Sequence, residues 1–268
     1  MQETWRKLVH AIRFGLLVLA FVGGQHALGQ QVDYGNNPQA GNYAEVNGIK
    51  LYYEEYGSGE PLLLLHGNGG SIDAFRFQIP FFEKHYHVIA VDSRLQGRSG
   101  GSADSLSYRQ MADDFNGLLD YLGVDSAFVL GWSDGGINGI LLAMNYPDKV
   151  KRLAVSGANV VPDSTALPVA VLREMQAVVD NPSSSPRDVT LNRMMVEQPQ
   201  IPFRELKKIQ CPVLVMAGDH DLIKTAHTVK IFESIPKASL CIFPDSHHGV
   251  CQQHPDLFNE TVLQFFQK

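Results

Sequence analysis

The sequence predicts a doubly wound, mainly parallel α/β sheet with a small inserted cap, and three observations carry that prediction. Short apolar runs alternate with helix-period stretches from Pro61 to the C-terminus. Two of the runs, Pro61–Leu65 (PLLLL) and His87–Val91 (HVIAV), are apolar without alternation, as strands buried on both faces must be. The alternation lapses between about Val160 and Arg204, a stretch holding Pro162, Pro168, Pro182, Pro186, Pro199, Pro202 and the run Ser183-Ser184-Ser185.

In chain order, residues 1–29 read as a secretion signal. Arg6, Lys7 and Arg13 form a positive start, Phe14 to Gly24 a short apolar core, and Ala27-Leu28-Gly29 a small-residue cleavage site. That core is too short to span a bilayer comfortably, so an uncleaved anchor is the lesser alternative and export to the periplasm or medium the expectation. Residues 30–42 (QQVDYGNNPQAGN) read as a flexible leader. Tyr43–Val46 and Lys50–Tyr56 flank Asn47-Gly48, a type I′ hairpin signal. A helix is expected over Ile72 to about Lys84. Another, over Tyr108–Leu122, carries an apolar stripe at Met111, Phe115, Leu118, Leu119 and Leu122. Ala127–Leu130, Val150–Val155, Val213–Ala217 and Leu240–Phe243 read as further strands. Gly136–Tyr146, Ala226–Ser234 and Leu257–Phe266 read as helices. The main domain thus runs over 43–268, with the cap inserted at about 160–204. Helix-prone pieces within it, Val169–Val179 and Val189–Val196, carry apolar residues that either line a substrate pocket or pack on the main domain.

Composition narrows the classes of function. A net charge of −6 argues against a nucleic-acid partner, which requires a basic face. No block of like charge marks a protein-binding tail. Three cysteines, Cys211, Cys241 and Cys251, leave at least one thiol free; an exported protein could pair Cys241 with Cys251, and the spacing leaves this open.

Chemistry enters at Gly131-Trp132-Ser133-Asp134-Gly135, between an apolar strand and a helix-like stretch. Gly-x-Ser-x-Gly in that setting is a nucleophile elbow, a tight turn that lifts a serine hydroxyl clear of the sheet. Ser133 needs a base, because an unperturbed hydroxyl is a poor nucleophile. His247 and His248 are adjacent candidates, as are Asp219 and Asp221 for the acid that steadies the base.

With His66-Gly67, Asp92-x-Arg94-x-x-Gly97-x-Ser99, Gly218-Asp219-His220-Asp221, and His248 seven residues before Pro255, the elbow makes the chain resemble the α/β-hydrolase superfamily from about Tyr43 to Phe266. One departure is Leu95, where that superfamily usually has Gly. The resemblance implies the α/β-hydrolase fold, the order Ser–acid–His, and a catalytic set of Ser133, Asp221 and His248. It implies no cofactor, and no metal-ligand spacing such as His-Glu-x-x-His is present. An oxyanion hole is expected from the backbone N–H groups of Asp134 and Asn68, with Gly69 and Gly70 letting backbone approach substrate. His66 is expected to be structural. Trp132 and Asp134, flanking Ser133, are the residues expected to touch substrate. The elbow is similar to that of valacyclovir-hydrolase-like enzymes, which cleave α-amino-acid esters; for Asp134 that implies a contact with a cationic group. The plainer expectation is a carboxylate stabilised by a helix N-terminus.

The expectation is a carboxylesterase acting on a small-molecule ester, with no nucleic-acid partner and no lasting membrane anchor. Carbon–carbon, amide or lactone hydrolysis and cofactor-free perhydrolysis use the same triad. A non-catalytic ligand receptor on this fold is the alternative of another class.

Overall fold

The structure, a computed structural model, describes residues 32–104 and 106–268; the signal-peptide reading of residues 1–29 lies outside them. Eight strands form one sheet in the order β1-β2-β4-β3-β5-β6-β7-β8. They are β1 (Gly41–Val46), β2 (Ile49–Gly57), β3 (Pro61–Leu65), β4 (His87–Val91), β5 (Ala127–Trp132), β6 (Val150–Ser156), β7 (Val213–Gly218) and β8 (Ala238–Phe243). β1 and β2 are antiparallel, β2 runs antiparallel to β4, and β3 through β8 are parallel. The opening hairpin turns at Asn47 (φ 46°) and Gly48 (φ 77°), the double positive φ of a type I′ turn.

The continuous apolar strands behave as expected. In β3, Leu63 and Leu65 enter the core on one face while Leu62 and Leu64 enter the core on the other. In β4, Ile89 and Val91 divide from Val88 and Ala90 in the same way. Each such side chain contributes roughly 1.5–3 kcal/mol by leaving water, which fixes strand order and register together. Helices α2 (Tyr108–Tyr121), α3 (Asp134–Asn145), α6 (Thr225–Ser234) and α8 (Pro255–Phe266) cover the faces. Ser107 caps α2 by accepting the Gln110 N–H, and Met111, Phe115, Leu118 and Leu119 are buried as the stripe requires.

Two expectations are corrected. The single helix expected over Ile72–Lys84 is a 3₁₀ turn (Ile72–Phe75) and one turn of helix, α1 (Ile79–Phe82). Pro80 lacks the N–H that would join them. Part of the stretch read as a flexible leader is anchored: Asp33–Ala40 forms turns whose Gly35 and Asn37 N–H groups both donate to Glu54 at 2.9 Å. Glu54 is buried and also accepts the Tyr52 and Tyr56 hydroxyls, so its carboxylate is fully hydrogen-bonded. Cys211, Cys241 and Cys251, whose pairing the spacing left open, all carry free thiols.

The insertion between β6 and β7 holds two helices, α4 (Val169–Asp180) and α5 (Pro186–Glu197). Its ends are tied together, since Ile201 N–H donates to the Val160 carbonyl at 2.9 Å. Val160 N–H in turn donates to His227 Nε2 at 3.1 Å. Burial lowers the pKa of His227 to about 4, which keeps that nitrogen an acceptor. Among the described residues no helix is long and apolar enough to cross a membrane.

Candidate active site

The carboxyl ends of the parallel strands converge where loops after β3, β5, β6, β7 and β8 meet, the usual site location in an open α/β sheet. Ser133 caps α3 at φ 56° and ψ −120°, the strained conformation of a nucleophile elbow. Its N–H donates to the Ser156 carbonyl at 2.8 Å, which holds the elbow to the end of β6. Both flanking glycines are sterically required. A Cβ on Gly131 would lie 2.2 Å from the Gly135 carbonyl oxygen, and one on Gly135 would lie 1.8 Å from that of Leu65. The elbow therefore exists because the chain has no side chain at those two places.

His248 lies on the loop after β8 and Asp221 on the loop after β7. His248 Nε2 is 2.9 Å from Ser133 Oγ, and His248 Nδ1 is 2.7 Å from Asp221 Oδ1. The Asp221 side chain is fully buried and also accepts N–H groups from Ile223 at 2.9 Å and Gly218 at 3.2 Å. With its oxygens so fixed, the carboxylate orients the ring and favours an Nδ1–H tautomer. His247 faces away; its N–H donates to Gln253 Oε1 at 2.7 Å. Asp219, the other candidate acid, accepts the Asp245 and Ser246 N–H groups at 3.1 and 3.0 Å and so joins the two loops. Asp219, His220 and Asp245 bring possible ligand atoms within 4.8 Å of one another, but all three are exposed and Asp219 is already occupied by backbone.

Trp132 has a partner beyond its expected contact with substrate. It is not among the residues lining the cavity at Ser133; its indole N–H donates to the His248 carbonyl at 2.8 Å. The residue before Ser133 thus steadies the loop that carries His248. Gly157, which the sequence reading passed over, is close behind that ring: a Cβ there would lie 2.8 Å from His248 Cε1.

The loop after β3 lies against Ser133, since a Cβ on Gly67 would come within 3.1 Å of Ser133 Cβ. His66 is fully buried and structural. Its Nδ1–H donates to the Gly67 carbonyl at 2.7 Å, and its Nε2 accepts the Ser93 N–H at 2.9 Å. Burial pushes its pKa down to about 4, so the ring stays neutral and can do both. The Asn68 side chain donates to Asp134 Oδ2 at 2.9 Å.

Asp134 is almost wholly buried and accepts from Asn68, with Tyr108 beside it in the wall of the same cavity. Burial raises its pKa to about 6 despite that donor and the nearby His248. Desolvation thus acts against the helix N-terminus at which Asp134 sits, which favours the charged form. Tyr108 is a site residue that the sequence reading missed, since it looked like an ordinary first residue of an amphipathic helix. Beside Ser133 and Asp134, a cavity of about 50 Å³ is closed by Leu167, Met175 and Met195 from the insertion and by Leu222 and Ile223 from the loop after β7. The last two were not anticipated.

The loop after β4 braces this arrangement. Asp92 is buried and accepts N–H groups from Ile72 and Arg98. Arg94 makes two 2.7 Å contacts to Asp114, a bidentate pair. Leu95, at the position where a Gly was expected, itself adopts the left-handed conformation (φ 65°).

Comparison with known proteins agrees with this architecture. A family model described as the alpha/beta hydrolase fold matches residues 60–194. RutD of Azorhizobium caulinodans, provisionally named a carbamate hydrolase, is 27% identical over 257 residues, covering 83% of this chain and 97% of its own. The human serine hydrolase BPHL is 26% identical over 283 residues, covering 96% and 97%. A crystal structure of a hydrolase from Pseudomonas aeruginosa PA01 superposes with a TM-score of 0.77 at 22% identity, over 87% of this chain and 100% of that one.

Proposed function

The chain belongs to the α/β-hydrolase-fold family, and on that premise we propose that this hydrolase cleaves carboxylic esters of small substrates through an acyl-enzyme on Ser133. The observation that carries the reading is the unbroken relay from Ser133 Oγ to His248 Nε2 at 2.9 Å and from His248 Nδ1 to Asp221 at 2.7 Å. His248 takes the hydroxyl proton as Ser133 Oγ attacks the carbonyl carbon. Negative charge collects on the carbonyl oxygen, where the Asp134 and Asn68 backbone N–H groups receive it. Asp221 stabilises the imidazolium. The imidazolium then protonates the departing alcohol as the carbon–oxygen bond breaks. Water, deprotonated by the same ring, attacks the acyl-enzyme and releases the acid.

The cavity of about 50 Å³ favours a short acyl group. Carbamates, amides, lactones and activated carbon–carbon bonds offer the same carbonyl to the same relay, and the likeness to RutD makes carbamates a worthwhile comparison. A complete hydrogen-bonded relay is unneeded in a non-catalytic receptor, which weakens that alternative.

One observation favours a narrower reading. Asp134 faces the cavity with the neutral Asn68 amide as its donor and, among the described residues, no ion pair, so its charge is poorly compensated. A cationic group on the substrate would compensate it, which suits α-amino esters.

The test is a chromogenic ester panel varying acyl length, carbamate nitrogen and α-amino charge, run on protein beginning at Gln30. Wild type should turn over many times and be labelled by a fluorophosphonate at Ser133. Ser133→Ala should lose about 10⁴–10⁶ in kcat. Retained turnover in that variant would refute the proposal. Selectivity for α-amino esters that survives Asp134→Asn would refute the narrower reading. We also propose export, on the charge and apolar pattern of residues 1–29; an unprocessed chain confined to the cytoplasmic fraction would contradict it.

A further inference from the structure

We propose that Gln96, with Arg187 of the cap behind it, is a positioning residue for the oxyanion-hole loop, so that a seated cap and a productive oxyanion hole go together. The inference rests on the serine-hydrolase reading.

The loop Gly67–Gly70 has little of its own to hold its shape. Three of its four residues lack a side chain, and Gly69 sits in the left-handed region at φ 68°. The Gly67 carbonyl accepts from Gly70 N–H at 3.1 Å and from His66, which closes one end. The middle is held from outside: Gly69 N–H donates to the side-chain oxygen of Gln96 at 2.6 Å. Asn68, whose backbone N–H is the oxyanion donor of the proposed mechanism, is the neighbour of that anchored amide.

Gln96 is well placed to set the loop. It is 1% exposed, and its own N–H donates to the Ser93 carbonyl at 2.9 Å. Ser93 N–H in turn donates to His66 at 2.9 Å. The two loops are thus cross-linked twice, once through His66 and once through Gln96. The second link is the one that reaches the middle of the oxyanion loop.

The cap grips the same loop. Arg187 Nε donates to the Leu95 carbonyl at 2.9 Å, immediately before Gln96, and Thr190 Oγ1 donates to the Ala103 carbonyl at 2.6 Å. Leu95 holds a positive φ that a leucine adopts only at a cost, so an outside partner for its carbonyl is useful there. Helix α5 also approaches the oxyanion loop directly, with Asn68 Nδ2 3.5 Å from the Leu191 carbonyl. The cap therefore reaches the oxyanion loop through Arg187, Leu95 and Gln96, a chain of groups separate from the Ser133–His248–Asp221 relay.

The experiment compares Gln96→Met, Gln96→Glu and Arg187→Met on an ester that wild type hydrolyses. It measures kcat, KM, Tm and the affinity of a trifluoromethyl ketone, which forms an oxyanion on Ser133. Gln96→Met should lower kcat about 10–100-fold with KM within about 3-fold, because one misaligned donor costs somewhat less than one deleted. It should weaken the ketone by the same factor. Gln96→Glu keeps the acceptor oxygen and should recover most of the loss. Arg187→Met, at a half-exposed surface position, should act in the same direction by about 3–10-fold.

Unchanged kcat and ketone affinity in Gln96→Met would overturn the proposal, as would losses in kcat that Gln96→Glu shares in full. Should Gln96→Met fail to fold, Arg187→Met decides, and wild-type kcat and ketone affinity there would overturn the link to the cap. Fluorophosphonate labelling of wild type separates the two readings. Absent labelling and absent turnover defeat the serine-hydrolase reading and this inference with it, whereas labelled, active wild type with indifferent variants defeats this inference alone.

Discussion

The floor and the roof of the site are built on different physical terms. In the floor, Ser133, Asp221, His248, His66 and Asp134 each sit on a turn at a strand end, and each is fixed by at least two hydrogen bonds or by contact between backbones. In the roof, helix α4 has no buried residue at all, and its apolar residues Val171, Leu172 and Met175 are only partly covered. α5 is the better anchored of the two, through Leu191, Met194, Arg187 and Thr190. The difference separates two tasks. Reaction geometry tolerates errors of a fraction of an ångström and so belongs on overdetermined turns, while substrate choice is set by side chains that can change at small cost to folding.

The comparison breaks most visibly if the floor proves tolerant. Asp221→Asn should lower kcat by about 10⁴, because the amide offers an N–H where His248 needs an acceptor. Expression and Tm should stay close to wild type. A loss under about 10-fold in steady-state kinetics would mean that the carboxylate does not orient the ring. Gly135→Ala tests the same floor through stability. Its Cβ would lie 1.8 Å from the Leu65 carbonyl oxygen, which belongs to a central strand and cannot yield. The expected result is a loss above about 4 kcal/mol, or no soluble protein at all. Near-wild-type urea unfolding would show that the elbow is looser than its contacts imply.

Most of the floor was legible in the sequence because it is made of local rules. Unbroken apolar strands, Asn-Gly at a hairpin and Gly-x-Ser-x-Gly at a strand end each act over a few residues. What the residues alone left open, His247 or His248 and Asp219 or Asp221, depends on how two loops 27 positions apart face each other. There the resemblance to the superfamily named His248 and Asp221, the pair found in contact. The long-range contacts were not legible. Trp132 reaches the carbonyl of a residue 116 positions away, and Asn68 pairs with Asp134 across 66. Tyr108 follows a capping serine and begins an apolar stripe, so nothing local marks it as a neighbour of Asp134. Leu95 misled in the other direction: the Gly it replaces signals a positive φ, and the fold imposes that φ regardless.

Asp134 lies at the border of floor and roof, and its stability cost sharpens the distinction. Burial raises its pKa to about 6 from an ordinary 3.8. A carboxyl raised in this way contributes stability that is fully present below pH 3.8 and is lost as pH rises through about 6. The gap corresponds to roughly 3 kcal/mol. Asp134→Asn titrates in neither state. It should therefore be more stable than wild type by about 2–3 kcal/mol at pH 7.5, with the advantage fading near pH 4. Urea unfolding at the two pH values reads this directly. An equal difference at both would mean that the carboxylate is well compensated and holds its proton no more tightly than an exposed one.

The smallest effect is expected in the roof. Met175 projects from α4 to the cavity beside Ser133 and Asp134 yet is only half-buried. Met175→Ala should cost under about 1 kcal/mol in unfolding free energy, because little of the side chain leaves a packed environment. It removes atoms from a cavity of about 50 Å³, so the room gained is large relative to the site. kcat on a short acyl ester should stay within about 2-fold, while kcat/KM for an ester two or three methylenes longer should rise about 5–10-fold. That pairing of small stability change with altered selectivity is the signature of a wall that shapes substrate without holding the fold. A stability loss like that of Gly135→Ala would make α4 part of the frame. Unchanged acyl-length preference would move the specificity wall to α5 and the loop after β7, where Met195, Leu222 and Ile223 face the same space.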